Sequence, residues 1–174
     1  MSGSLLITNR QRAVALNTRL LRTLTKSLLT ELLGLEEFDL GIFVVSAPEM
    51  ARLNEKFLRH EGSTDVITFD YAESVPPASR RQVKLDLPAG RRKHIHGEIF
   101  ICIDDARAQA REFRTSWQSE LARYVIHGVL HLQGFDDLKP AARRKMKREE
   151  NGFLKKTARL FPLEKLGGNP RLTP

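Results

Sequence analysis

Arg123-Tyr124-Val125-Ile126-His127-Gly128-Val129-Leu130-His131-Leu132-Gln133-Gly134-Phe135-Asp136-Asp137 is the stretch from which the rest of the chain is read. His127 and His131 stand at i and i+4 inside an apolar run. On a helix that spacing puts both imidazoles on one face, one turn apart. Such a pair can hold one divalent ion at about 2.0–2.1 Å from each nitrogen. Gly134 suits the left-handed turn that ends a helix. The chain can then double back and bring Asp137 to the same ion. Three protein ligands leave a coordination position open, the arrangement of a catalytic rather than a structural metal site. A lone His on an apolar helix face is usually core packing. Two at this spacing, followed by Gly and an acid, select a metal site instead.

The same stretch tests a second chemistry. Zinc peptidases carry Glu directly after the first His as general base. Here that residue is Gly128, which cannot move a proton. Peptide or amide hydrolysis is disfavoured on that ground.

His127-Gly-Val-Leu-His131-Leu-Gln-Gly134-Phe-Asp136-Asp137 resembles the signature of the YbeY family of bacterial metallo-endoribonucleases, His-Gly-x-Leu-His-Leu-x-Gly-Tyr-Asp-His. Gly97-Glu98-Ile99-Phe100-Ile101-Cys102 is similar to the family's Gly-Asp-Ile-x-Ile-Ser strand. Leu53-Asn54 and Ser63-Thr64-Asp65-Val66-Ile67-Thr68-Phe69 are similar to its Leu-Asn and Pro-Thr-Asp-Val-Leu-Ser-Phe segments. Two departures stand out. The family's third ligand is usually His, and Asp137 takes its place. The family carries Arg directly after the aromatic that follows Leu-Asn; here Leu58 holds that position and Arg59 comes one step later.

The resemblance implies a single-strand-specific, metal-dependent endoribonuclease acting in ribosomal RNA maturation and ribosome quality control. His127, His131 and Asp137 would bind the ion, and zinc is the metal their types select. A metal-bound water would attack the phosphodiester, or the ion would polarise it. Asp136 is placed either to orient a ligand from behind or to cap the turn. Arg59 is placed to offset charge on the reacting phosphate or only the dipole of its helix. The implied partners are single-stranded ribosomal RNA and the ribosome or its small subunit, in the cytoplasm. A competing reading is a ribosome-associated binding protein with a structural metal.

Composition agrees with one globular domain. The chain has 174 residues, 41% hydrophobic and 29% charged, enough for a core of its own. No apolar run has the length of a membrane span, and the amino terminus lacks the pattern of a signal peptide. The one cysteine, Cys102, fits a reducing compartment and reads as a buried thiol. The net charge of +8 suits a polyanion.

Around the metal helix the remaining elements fall in α+β order. Strands are expected over 5–8, 40–45, 66–69 and 98–103. A leucine-striped helix capped by Asn17 or Thr18 should run to Leu33. Ser46-Ala47-Pro48-Glu49 reads as a capping box. Asp104 should cap the next helix, Ser116 the metal helix, and Pro140 should open the last, whose outer face carries Arg143, Arg144, Lys145, Lys147 and Arg148. Residues 73–94 read as a long basic loop and 166–174 as a trailing tail, leaving 1–165 as the domain. His94 and His96 have no third partner at ligand spacing. The expected fold is a mixed, mostly parallel four-stranded sheet with helices packed on it and the metal helix central.

Overall fold

A computed structural model describes residues 2–72 and 92–168 of the chain. The elements follow in the order β1 (Ser2–Asn9), α1 (Thr18–Ser27), β2 (Glu37–Val45), α2 (Ala47–Leu53), β3 (Val66–Asp70), β4 (His94–Cys102), α3 (Ile103–Phe113), α4 (Trp117–Leu132) and α5 (Pro140–Leu160). Helices α1 and α2 each run on into a π-helical turn, Leu28–Leu32 and Asn54–Leu58. The four strands form one sheet in the order β1-β2-β4-β3. β1 and β4 flank β2 in parallel, and β3 closes the other edge antiparallel to β4. This is the mixed, mostly parallel sheet that the sequence pattern implies.

Alternation along the strands sorts side chains to two faces. Leu40, Ile42 and Val44 of β2 and Ile95, Ile99 and Ile101 of β4 belong to the larger core, with α1 and α4. Phe43, Val45, Phe100 and Cys102 turn the other way, to a smaller cluster with Met50 of α2. Helix α4 buries Leu121, Val125, Ile126, Val129 and Leu130 in the larger core. Full burial of each such side chain contributes about 1.5–3 kcal/mol relative to exposure. The helix that carries both histidines is therefore anchored at the centre of the molecule.

Gly128 explains how closely α4 lies on the sheet. A Cβ at this position would stand 2.6 Å from Ile99 Cγ2 of β4. No side chain fits there, so the absence of a general base after His127 is also a packing requirement.

Several local expectations change. β2 and β4 begin earlier than expected, at Glu37 and His94, because Glu37 through Asp39 pair in register with His94 through His96. On that extension His94 Nδ1 lies 3.1 Å from Glu37 and His96 Nε2 lies 3.6 Å from Asp39. Ser46 makes no side-chain cap to α2, and Glu49 instead pairs with Arg10 at 3.0 Å. The cap comes from another element: Ala47 N donates to Asp104 Oδ2 at 2.8 Å. Asp104 is thereby drawn away from α3, whose start has no side-chain cap. Asn17 and Ser116 do cap α1 and α4, accepting from Leu20 N at 3.0 Å and Ser119 N at 3.1 Å. Residues 166–168, expected in a trailing tail, are packed. Leu166 is fully buried, and Gly167 bridges to Leu16. The basic loop expected over 73–94 lies, up to Arg91, outside the described residues, as do 169–174 of the tail.

Candidate metal centre

Helix α4 ends in a glycine turn, as its sequence suggests. Gly134 has φ of +85°. Its N–H donates to His131 O at 2.9 Å, and Phe135 N donates to Leu130 O at 3.0 Å. These bonds satisfy the last carbonyls of the helix and reverse the chain. The reversal carries Asp137 back over the histidine face. Asp137 Oδ2 lies 3.8 Å from His127 Nε2 and 3.9 Å from His131 Nε2. The two Nε2 atoms are 3.1 Å apart. A tetrahedral ion about 2.0–2.1 Å from each ligand spaces the ligand atoms by about 3.3 Å, close to this triangle. Among the described residues this is the one group of three or more such side chains close enough to share an ion.

The other ring nitrogens decide what faces the triangle. His131 Nδ1 lies 3.1 Å from the carbonyl of Phe135. A carbonyl only accepts, so Nδ1 carries the proton. His127 Nδ1 lies 2.9 Å from Glu150 Oε2 of α5. Burial raises the Glu150 pKa, but hydrogen bonds from His127 and Arg123 outweigh it and hold the carboxyl below its ordinary range. Glu150 is therefore an acceptor too, and the His127 proton also sits on Nδ1. In the neutral rings both Nε2 atoms present lone pairs, at 3.1 Å, with a carboxylate oxygen beside them. Three acceptors turned toward one point fit a divalent cation. A second ring of partners that fixes tautomer and orientation is the usual support of a metal-binding histidine.

The protonation equilibria split accordingly. Burial lowers the His127 pKa, and the hydrogen bond and charge of Glu150 raise it by more, so the net shift is upward. Burial, then the neighbouring His127 charge, depresses His131.

Glu150 is the residue of the candidate site that sequence reading missed. It is buried on a helix that is mostly basic outside. The available signal was its place on the stripe of Met146, Glu150 and Thr157, the three buried positions of α5. A carboxylate on a buried helical stripe needs a partner. Arg123 supplies one, its Nη1 lying 2.6 Å from Glu150 Oε1.

The other site expectations separate. Asp136 is exposed, and its Oδ1 accepts from Leu138 N at 2.8 Å, so it shapes the turn. Arg59 is exposed in a left-handed conformation, φ +56°, at the end of the π-helical turn after α2. A cavity of about 440 Å³ opens beside the centre, lined by His127, Asp137, Glu150 and Asp65 among others. Arg59 is not among its described lining residues. Arg143 and Lys147 are, and Arg143 Nε donates to the Asp137 carbonyl at 2.9 Å. Asp65 also makes the turn expected of it, accepting from Val66 N at 2.9 Å. Cys102 is fully buried, and burial first of all pushes its pKa up to about 12, which makes it an inert thiol.

Comparison with known proteins identifies the family. The model of the family described as Endoribonuclease YbeY matches residues 6–158. The chain belongs to the YbeY family. A relative from Salinibacter ruber named Endoribonuclease YbeY is 35% identical over 115 residues, covering 66% of this chain and 68% of the relative. One of the same name from Parabacteroides distasonis is 33% identical over 124 residues, covering 71% and 75%. The solution structure of a Thermotoga maritima protein superposes with a TM-score of 0.61 at 21% identity, covering 98% of this chain and 99% of that one. That last likeness concerns the fold alone. Within the YbeY frame, the Asp137 departure retains a ligand-type side chain at the third position. None of the described helices is long and apolar enough to cross a membrane.

Proposed function

We propose that this YbeY-family chain is a metal-dependent endoribonuclease that cleaves single-stranded RNA, with zinc as its ion. Ribosomal RNA on the small subunit is the proposed substrate, and the cytoplasm the proposed compartment. The observation that carries the reading is the convergence of His127 Nε2, His131 Nε2 and Asp137 Oδ2, each ring held from behind, at the edge of an open cavity.

When bound, a divalent ion supplies Lewis acidity for a phosphodiester oxygen or an attacking water. The chain's own residues do the rest. His127 and His131 donate Nδ1–H hydrogen bonds to Glu150 and the Phe135 carbonyl, so both Nε2 lone pairs would face the ion. Asp137 lowers the net charge of the centre relative to a three-His set. Asp136 holds the turn that presents Asp137. Arg143, steered by its bond to the Asp137 carbonyl, and Lys147 offer positive charge to the scissile phosphate. Arg59, outside the cavity, is assigned to the RNA backbone rather than to the reacting group. Phosphate contacts of this kind position the chain without reading sequence.

The test pairs metal analysis with cleavage assays. The purified protein should carry about one ion per chain and cut single-stranded RNA in a chelator-sensitive way. His127→Ala and Asp137→Ala should lose both ion and cleavage while keeping their helical content, since Ala is a good helix former. Full zinc occupancy in His127→Ala would remove the proposed ligand set. Stoichiometric zinc without turnover on any RNA would leave the metal a structural one.

A further inference from the structure

The cavity reaches well past the metal ligands. Glu120, Arg123, Tyr124 and His127 of α4 line it, a stripe spaced i, i+3, i+4, i+7 that runs about 10 Å at 1.5 Å per residue. Gln109 and Phe113 of α3 contribute from one side, and Met146 and Asn151 of α5 from the other. Its volume of about 440 Å³ falls within the range of small-molecule sites, about 300–1,000 Å³.

Two of its carboxylates, Glu120 and Glu150, are already matched. Thr115 Oγ1 donates to Glu120 at 2.6 Å, and Glu150 is held by Arg123 and His127. Other groups are left without partners. Tyr124 is only 4% exposed, yet its hydroxyl has no hydrogen-bond partner among the described residues. A buried hydroxyl in that state costs stability unless a ligand completes it. Burial, then the nearby Asp65 and Glu120 carboxylates, push its pKa up, so it stays a donor. The Gln109 side chain makes no hydrogen bond among the described residues. Asn151 accepts from Arg123 through Oδ1, at 2.7 Å, which leaves its amide N–H groups to donate. Phe113 is 61% exposed, an aromatic ring facing solvent on a wall that it shares with polar groups and Met146.

We propose that this cavity is a nucleobase subsite, which takes one unpaired base of the RNA whose adjoining phosphate lies at His127, His131 and Asp137. The inference rests on the ribonuclease reading above and names how that site selects its substrate. An exposed aromatic ring is a stacking surface for a base of any identity. Unpaired amide and hydroxyl groups match the donor and acceptor edge of a base, which a duplex would hide. Arg143, bonded to the Asp137 carbonyl, and Lys147 line the same cavity and offer positive charge to the sugar–phosphate chain. A base inside a helix cannot enter a pocket between α3, α4 and α5, so preference for single strands follows from geometry.

The first measurement uses metal-free protein and needs no turnover. Calorimetry compares nucleoside 5′-monophosphates with ribose 5-phosphate. The nucleotides should bind at least about tenfold tighter, since stacking on an aromatic side chain contributes about 1–3 kcal/mol per base. Phe113→Ala should weaken nucleotide binding about fivefold or more, and Tyr124→Phe about three- to tenfold. Neither change should alter ribose 5-phosphate binding. Equal affinity for the two ligands, or wild-type nucleotide affinity in both variants, overturns the subsite. The second measurement maps metal-loaded cleavage of single-stranded RNA bearing one abasic nucleotide. Loss of cleavage next to the abasic position supports the subsite. Unchanged cleavage there overturns it and leaves the ribonuclease reading standing. Absence of cleavage on every RNA, intact strands included, removes that reading and the subsite with it.

Discussion

Glu150 Oε2 lies 2.9 Å from His127 Nδ1, on the opposite side of the imidazole from the atom that faces His131. One hydrogen bond between α5 and α4 thus sets the tautomer of a proposed metal ligand and its ring angle. Arg123 holds the same carboxylate at 2.6 Å, so the support is itself supported. Removing it should be felt at the metal rather than in the fold. Glu150→Ala is expected to weaken zinc binding about 10–100-fold, the usual cost of losing a partner behind a metal-bound histidine. Glu150→Gln keeps an acceptor but not the charge, and should lose less. Competition with a calibrated chelator measures both. Wild-type affinity in Glu150→Ala would mean that His127 is oriented by other contacts.

Gly128 and Ile99 make a second testable relationship, in the interface of α4 with β4. A methyl group at 128 would approach Ile99 Cγ2 to 2.6 Å and Cδ1 to 2.8 Å. Ala is favoured over Gly in a helix interior by roughly 0.5–1 kcal/mol, whereas overpacking a filled core costs about 1–3 kcal/mol. The clash should win. Gly128→Ala is expected to lower Tm by several degrees, at about 2–4 °C per kcal/mol for a domain of this size. Ile99→Ala leaves a cavity and destabilises by itself. The double variant should be more stable than the two losses added together, because the new methyl enters the space that Ile99 vacates. Strict additivity in denaturant titrations would place Gly128 away from Ile99.

The metal helix was legible because its determinants are local. The i, i+4 histidines, Gly134 and Asp137 all act within one helix and its turn, and the structure brings them together as the spacing implies. The sheet was legible for a related reason: apolar runs of strand length alternate with helical periods. What stayed hidden depends on partners distant in sequence. Ser46 and Glu49 have the pattern of a capping box, but Asp104 from the start of α3 reaches Ala47 N first. Glu150 looks like one charge among many on a basic helix until α4 is packed against it. Leu166 carries no mark that distinguishes a frayed residue from a fully buried one. Side chains that complete another element's hydrogen bonds cannot be read from their own neighbours in sequence.

The pH dependence of metal binding follows from the same Glu150–His127 contact. In the metal-free protein the His127 pKa is raised: burial opposes the charge, and the hydrogen bond and charge of Glu150 overcome it. A folded pKa above the unfolded value means that protonation stabilises the fold. That contribution is complete below the ordinary histidine value, about 6.5, and is lost as pH rises through the raised one. Zinc, the proposed ion, would act in the opposite sense. It needs both Nε2 lone pairs, so it must displace the His127 proton, and its affinity falls as pH drops through the raised value. His131 is depressed, by burial first and then by the His127 charge, and enters this competition only at lower pH. The rise in Tm on adding zinc should therefore grow with pH, from small near about pH 5 to large near about pH 8. While one proton is being displaced, Kd should change about tenfold per pH unit. Glu150→Gln removes the charge that raises His127, so its onset should move to lower pH even though zinc binds it more weakly at neutral pH. Thermal melts with and without zinc, across that range, measure both curves. A zinc-induced shift that is flat with pH, or an onset unmoved in Glu150→Gln, would show that His127 is not the group zinc deprotonates.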